Sequence, residues 1–253
     1  MSELGSSIAY VTYNPGGPFM RSLRAGFADA GVHPAHLIVV SPRERLAVEW
    51  RRRRLGIVTH TLVPQARAVA RARLGATSGD ADAPRAPGPE PEVVHVSSLN
   101  GPETPGIIRE RGIRYLVNGG AGIFREPLVS MPDLVIVNAH AGRLPDFRNM
   151  NVVEWALYTG APVVGTVHRI DAGIDTGAIL LERPLDLSAA HSVEEARTLA
   201  FDQVARLVGP AVVAHAQGTL EERVQPPEGT RWYVMHPRIR ARLERRLSET
   251  SVD

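Results

Sequence analysis

Short apolar runs recur along the first half of the chain, and helical patterns lie between most of them. The runs have the length of buried strands and lie at residues 8–13, 37–40, 93–96, 115–117 and 134–137. Apolar side chains repeat at helical spacing at residues 19–27, 45–55 and 107–111. Strands that alternate with helices predict an α/β domain built on a mostly parallel sheet.

The second half of the chain continues with the same kinds of element. The predicted elements are a helix at residues 152–158, strands at 163–170 and 178–187, and an arginine-rich helix at 238–247. Ser192 and Glu195 form a capping-box pattern at the start of a further amphipathic helix, whose apolar stripe includes Val193, Leu199 and Val208. Pro210 is expected to kink that helix.

Residues 76–92 interrupt this alternation. They contain four prolines and almost nothing to bury, which predicts a flexible or extended surface loop. Strands and helices resume after the loop in the same style, so we expect it to lie inside one domain. That domain is predicted to cover residues 1–208, and residues 209–253 are predicted to form a short C-terminal extension.

The composition excludes several kinds of chemistry. The chain has no cysteine, which excludes disulfides and thiolate metal sites and makes a cytoplasmic location the expected one. All 29 cationic side chains are arginine, so Schiff-base, pyridoxal-phosphate and phosphate-loop lysines are excluded. No apolar run reaches the roughly 18 residues of a membrane span, and no secretory signal pattern opens the chain.

The charge pattern argues against nucleic acid as a partner. The formal net charge is only +2 for 253 residues. Residues 51–54 are four consecutive arginines and could form a nucleic-acid patch. On a single helical turn they would point in several directions, so a solvated surface is the preferred interpretation.

The most informative polar residues follow the strand predicted at 134–137. Asn138 and His140 are two positions apart, so in an extended chain both point to one face at the carboxyl end of a strand. Ligands of open α/β sheets bind at that end. An amide and an imidazole can donate to an oxyanion, and a neutral imidazole can accept a proton from an amine. On spacing alone, a turn-capping Asn and a His that hydrogen-bonds to backbone are the preferred interpretation.

A second polar segment joins the strands at 163–170 and 178–187. It contains Asp171, Asp175 and two glycines, a composition that ordinary turn chemistry also explains. Asp175 could hold an imidazole in one tautomer, as carboxylates do beside catalytic histidines. The nine histidines show no zinc-binding spacing, and no metal is expected.

Together these segments resemble the formyltransferase family that uses 10-formyltetrahydrofolate. The family pattern is Asn-x-His, Leu-Pro-x-aromatic-Arg, Gly-Thr-x-x-His and Asp-x-Gly-x-Ile. The matching residues, in order and at similar spacing, are Asn138-Ala-His140, Leu144-Pro-Asp-Phe-Arg148, Gly165-Thr-Val-His168 and Asp175-Thr-Gly-Ala-Ile179. The resemblance implies the formyltransferase fold, a Rossmann-like, mostly parallel sheet flanked by helices.

The resemblance also implies a role for particular residues. Asn138, His140 and Asp175 match the family's catalytic trio, and His168 is given a secondary role. The segments that match the family's backbone contacts to the folate pterin ring are Gly122, Ile123 and Phe124, and Asp171, Ala172, Gly173 and Ile174. Where the family often has Pro-Ser after the histidine and Gly after the arginine, this chain has Ala141-Gly142 and Asn149.

The expected activity is transfer of the formyl group of 10-formyltetrahydrofolate to an amine or hydroxylamine of a small metabolite. A 10-formyltetrahydrofolate hydrolase and a non-catalytic folate-binding protein are the alternatives. Because the first predicted strand opens the chain, an N-terminal regulatory domain is not expected. Because few residues follow 208, the transfer-RNA-binding barrel of methionyl-tRNA formyltransferase is not expected either. A homodimer is left open.

Overall fold

The structure is a computed structural model that describes residues 3–41 and 88–249. The helix predicted at residues 45–55, the arginines at 51–54 and residues 76–87 of the proline-rich loop lie outside the described residues. Within the described ranges, no helix is long and apolar enough to cross a membrane.

A seven-stranded sheet forms the centre of the described chain. Its strands are β1 (Ile8–Thr12), β2 (His36–Val40), β3 (Glu92–Val96), β4 (Tyr115–Asn118), β5 (Val135–His140), β7 (Val164–Arg169) and β8 (Ile179–Pro184). The order across the sheet is β3-β2-β1-β4-β5-β7-β8. Strands β1 to β5 are parallel, whereas β7 and β8 pair antiparallel at one edge. The predicted α/β fold with a mostly parallel sheet is confirmed.

Helices cover both faces of this sheet. They are α1 (Glu3–Ser6), α2 (Pro18–Asp29), α3 (Glu103–Glu110), α4 (Val152–Thr159), α5 (Val193–Arg206), α6 (Val208–Ala216) and α7 (Pro237–Glu249). On one face, Phe27 of α2 and Val212 of α6 are buried in a core with Tyr10 of β1. On the other face, Ile108 of α3 packs in a second core with Leu116 of β4.

The fifth strand is longer than the sequence predicted. It continues through Asn138 to His140, because β7 pairs Asn138 with His168 and His140 with Thr166. The apolar pattern ends at residue 137, so this extension depends on a partner strand that local sequence does not reveal. The two polar side chains therefore lie on a regular strand at its carboxyl end.

The helix expected to kink at Pro210 is instead two helices. The break lies at Leu207, three residues earlier, and Pro210 sits in the first turn of α6. Proline lacks the N–H that would bond to the carbonyl of Arg206, so the first helix ends before it. The serine half of the predicted capping box is present: Ser192 Oγ accepts from Glu195 N–H at 3.2 Å. Glu195 accepts from the N–H of His191, 2.7 Å away.

The residues after 208 pack closely against the rest of the chain. Val208, Ala211 and Val212 of α6 are fully buried in the core beside α2. Farther along, β9 (Arg231–Trp232) pairs in parallel with β6 (Arg148–Asn149). The division at residue 208 stays a prediction, and these contacts favour one folding unit.

Candidate active site

The two polar segments singled out in the sequence meet at the carboxyl end of β5. Asp175 Oδ2 lies 3.7 Å from His140 Nδ1, and Asp175 Oδ1 lies 3.6 Å from His168 Nε2. Asn138 Nδ2 is 3.1 Å from the same His168 nitrogen. The structure thus brings Asn138, His140 and Asp175 together and adds His168 to them.

The buried ring of His140 has a defined orientation. Its Nε2 lies 2.6 Å from the backbone carbonyl of Phe147. A carbonyl oxygen can only accept, so Nε2 carries the hydrogen and donates. Nδ1 is then the nitrogen that faces Asp175 and can take up or release a proton.

The backbone at Gly142 passes close to this ring. A Cβ at position 142 would lie 3.0 Å from His140 Nε2 and 2.9 Å from the Phe147 carbonyl oxygen. The backbone therefore passes too close to the imidazole for a larger residue without a shift.

Asp175 lies in a left-handed turn, and a hydrogen bond fixes its carboxylate. Its φ of 53° is in the left-handed region, which the turn between β7 and β8 imposes. Its Oδ2 accepts the N–H of Asn149 at 2.8 Å. Asn149 itself has a φ of 83°, a conformation in which glycine is most at ease and asparagine is better tolerated than most residues. This explains why asparagine can stand where the resemblance leads one to expect glycine.

His168 is a neutral, fully buried imidazole that faces Asn138. Burial lowers its pKa from 6.5 to about 4, and the neighbouring His140 contributes to the lowering while Asp175 opposes it. Its Nδ1–H donates to the carbonyl of Arg169 at 2.7 Å. Nε2 is therefore a bare acceptor at neutral pH, and it takes a hydrogen from the Asn138 amide.

The two segments expected to contact a folate both lie in turns that follow strands of the sheet. Gly122 has a φ of 105°, Phe124 is buried in the core, and Ile123 is half exposed. On the other side, Asp171 Oδ1 accepts from Gly173 N–H at 3.0 Å, which closes the turn that leads to Asp175. The second turn leads directly into Asp175, and the role of both turns toward a folate stays a prediction.

Two contacts of the site escaped the sequence reasoning. Asn118, at the carboxyl end of β4, donates from Nδ2 to Asn138 Oδ1 at 3.0 Å. Gln225 donates to the backbone carbonyls of Asp175 and Gly177. Asn118 carries a signal, because it ends an apolar strand as Asn138 does. Gln225 carries none, since its position is set only by the return of the chain.

The cluster contains the groups that acyl transfer to nitrogen requires. Asn138 has a second Nδ2 hydrogen that can be donated to a developing oxyanion, and His140 can exchange a proton through Nδ1. Asp175 supplies a negative charge beside both imidazoles. Within residues 3–41 and 88–249, no group of three or more His, Asp or Glu side chains is placed to hold a metal ion.

Comparison with known proteins finds similarity to formyl transferases in the central part of the chain. The family model for formyl transferase matches residues 115–207. Methionyl-tRNA formyltransferase of Solibacter usitatus is 33% identical over 106 residues, which is 41% of this chain and 34% of that protein. The enzyme of that name from Bordetella pertussis is 36% identical over 106 residues, or 40% and 33% of the two chains. The chain thus matches about a third of the length of these curated relatives.

A solved structure extends the similarity in fold to most of the chain. Glycinamide ribonucleotide transformylase 1 from Symbiobacterium toebii superposes with a TM-score of 0.55 at 18% identity, covering 87% of this chain and 93% of that one. The similarity supports the formyltransferase fold predicted from the motifs. The resemblance noted in the sequence is confirmed for the matched region: residues 115–207 match the formyl transferase family.

Proposed function

We propose that this protein transfers the formyl group of 10-formyltetrahydrofolate to the amine or hydroxylamine nitrogen of a small metabolite. The observation that carries the proposal is the convergence of Asn138, His140 and Asp175 at the end of β5. The match to the formyl transferase family over residues 115–207 supports it. An amide donor, an imidazole and a carboxylate are the groups that such a reaction requires.

Each of these side chains can be assigned a step in formyl transfer. 10-Formyltetrahydrofolate supplies the electrophilic formyl carbon when it is bound. A bond forms from the acceptor nitrogen to that carbon, the bond from the carbon to the folate nitrogen breaks, and one proton passes from acceptor to folate. Asn138 donates its second Nδ2 hydrogen to the formyl oxygen as negative charge develops there. His140 takes up the proton at Nδ1, and the Asp175 carboxylate stabilises the imidazolium that forms.

The residues fit a folate in one further respect. A pterin ring recognised by backbone requires turns whose main chain is accessible. Gly122 is exposed and has a positive φ, and a Cβ at that position would lie 3.6 Å from the ring of Tyr13, which follows β1. We propose that Gly122 to Phe124 and Asp171 to Ile174 form the two sides of the pterin pocket.

The acceptor has a second candidate class. The curated relatives are named methionyl-tRNA formyltransferases, which makes an aminoacyl-tRNA a candidate acceptor for this chain. We favour a small amine because the formal charge is near neutral and the arginines are balanced by acids. A hydrolase that sends the formyl group to water is the nearest enzymatic alternative, since the same groups could activate water.

The test is a turnover assay with 10-formyltetrahydrofolate and a panel of small amines, hydroxylamines and methionyl-tRNA. Release of tetrahydrofolate and the mass of the formylated acceptor are measured together. Formylation of a small amine is expected. Tetrahydrofolate release without any amine would establish the hydrolase, and formylation of the RNA alone would establish the other acceptor. Folate binding without turnover across the panel would establish the non-catalytic alternative.

Variants assign the chemistry to the site. Asn138→Ala, His140→Ala and Asp175→Ala are each expected to lower kcat about 100-fold or more. His95→Ala is the matched control, because His95 is exposed on the edge strand β3. Wild-type turnover in His140→Ala would show that the cluster is not the active site.

A further inference from the structure

We infer that Asn118 is a positioning residue that sets the orientation of the Asn138 amide and joins it to the loop after β4. The inference rests on the proposed function, because the role of Asn138 in formyl transfer is part of that proposal. Asn118 touches neither the acceptor nor the reacting carbon in this assignment, and it acts through Asn138.

The argument begins with a chain of hydrogen bonds whose direction is determined at both ends. Asn118 Oδ1 accepts from the backbone N–H groups of Gly120 and Ala121 at 3.0 and 2.9 Å. Backbone N–H groups can only donate, so this atom must be the amide oxygen. Asn118 Nδ2 therefore faces Asn138, and it donates to Asn138 Oδ1 at 3.0 Å.

The same direction follows from the other end. The carbonyl of Arg169 can only accept, so His168 Nδ1 carries a hydrogen and His168 Nε2 does not. Asn138 must then present Nδ2 to His168, at 3.1 Å. The loop amides at one end and the Arg169 carbonyl at the other therefore require the same orientation of the Asn138 amide. Asn118 connects Asn138 to the loop amides.

This orientation matters for the chemistry. If the Asn138 amide were turned over, its oxygen would occupy the position of the Nδ2 donor and would repel a developing oxyanion. The backbone amides that orient Asn118 belong to the loop that continues into Gly122 and Phe124. Asn118 thus connects the proposed pterin-binding loop with the proposed oxyanion donor through one side chain.

The test is Asn118→Asp, which keeps the shape of the side chain and the oxygen that accepts from the loop. An ionised carboxylate cannot donate, so Asn138 is expected to turn its Nδ2 toward position 118. His168 Nε2 would then face an oxygen and must gain a hydrogen. We expect kcat to fall about 10-fold or more, with a smaller change in the KM for the folate, because the loop contact is retained.

A second measurement does not depend on activity. The ¹⁵N chemical shifts of the His168 ring report which nitrogen carries hydrogen, and the His168→Gln spectrum assigns them. The wild type should show hydrogen on Nδ1 alone, and Asn118→Asp should show hydrogen on Nε2. If the wild type transfers no formyl group but these shifts appear, the proposed function fails while the hydrogen-bond chain stands.

The matched control is Asn100→Asp. Asn100 braces the same loop from outside, donating to the carbonyl of Ile123 at 3.0 Å and accepting from Arg125 N–H at 2.8 Å. Its loss of one loop contact should raise the KM for the folate and leave His168 with hydrogen on Nδ1. An unchanged His168 ring or a wild-type kcat in folded Asn118→Asp would overturn the inference. So would a change of the His168 ring in Asn100→Asp.

Discussion

Replacing His168 with glutamine should remove much of the acid sensitivity of the folded protein. The imidazole is buried, and its pKa falls from 6.5 to about 4, first because of burial and then because of His140. The folded protein therefore binds this proton less readily than the unfolded chain does. The contribution of His168 to the free energy of unfolding is fully present above about pH 6.5. It decreases as the pH drops toward 4 and changes little below that.

The size of the effect follows from the two pKa values. Each tenfold difference in proton affinity corresponds to about 1.4 kcal/mol, so the full loss is about 3 kcal/mol. Because the loss accumulates between the two values, about 2 kcal/mol is gone by pH 5. This is a large share of the roughly 5 to 15 kcal/mol that stabilises an ordinary domain.

The measurement is urea denaturation at about pH 7.5 and about pH 5 for the wild type and the variant. The free energy of unfolding of His168→Gln should fall by about 2 kcal/mol less over this interval than that of the wild type. A glutamine oxygen can still accept from Asn138, so the variant is expected to fold. His95→Gln removes an exposed imidazole and should keep the wild-type pH dependence. If His168→Gln loses as much stability between these two pH values as the wild type does, the buried imidazole is not the source of the acid sensitivity.

Three further predictions concern helix packing, a buried ion pair and the turn that carries Asp175. Gly26→Ala should cost about 2 kcal/mol or more in thermal or urea unfolding, because the new Cβ would lie 2.3 Å from a facing backbone oxygen. Gly106→Ala is the control, because Gly106 lies in a helix with open space around it, and it should stabilise by up to about 1 kcal/mol. If the two substitutions changed stability equally, the close contact at position 26 would not be the cause. Arg197→Ala should cost about 3 kcal/mol, because the fully buried Glu154 loses its cationic partner and keeps only the Asn151 amide, and adding Glu154→Gln should recover part of that loss. Gln225→Ala should lower kcat about 10-fold by freeing the Asp175 turn, and an unchanged kcat would assign Gln225 a purely structural role.

Much of the fold could be predicted from the sequence because strand and helix patterns are local. The apolar runs at 8–13 and 37–40 correspond closely to β1 and β2. The expectation that functional side chains lie at the carboxyl ends of strands placed Asn138 and His140 at the correct edge of the sheet. The same expectation would have found Asn118, which ends β4 immediately before a run of glycines.

Other features depend on parts of the chain that are distant in sequence. The two-residue strands β6 and β9 have no periodic pattern, and they form because the chain returns to itself after α6. Trp232 then stacks on Phe147 with ring centroids 5.5 Å apart. Gln225 reaches the carbonyl of Asp175, which is 50 positions away. No window of sequence contains both partners of such a contact.

The sequence by itself determined the α/β architecture and the residue types available to the site. It did so because periodicity, turn residues and motif order are properties of neighbouring positions. Only the tertiary structure decided the orientation of the Asn138 amide, the bare nitrogen of His168 and the nitrogen of His140 that faces Asp175. The reason is physical: hydrogen-bond direction is set by the partner at the other end. Here those partners lie on different strands and turns that only folding brings together.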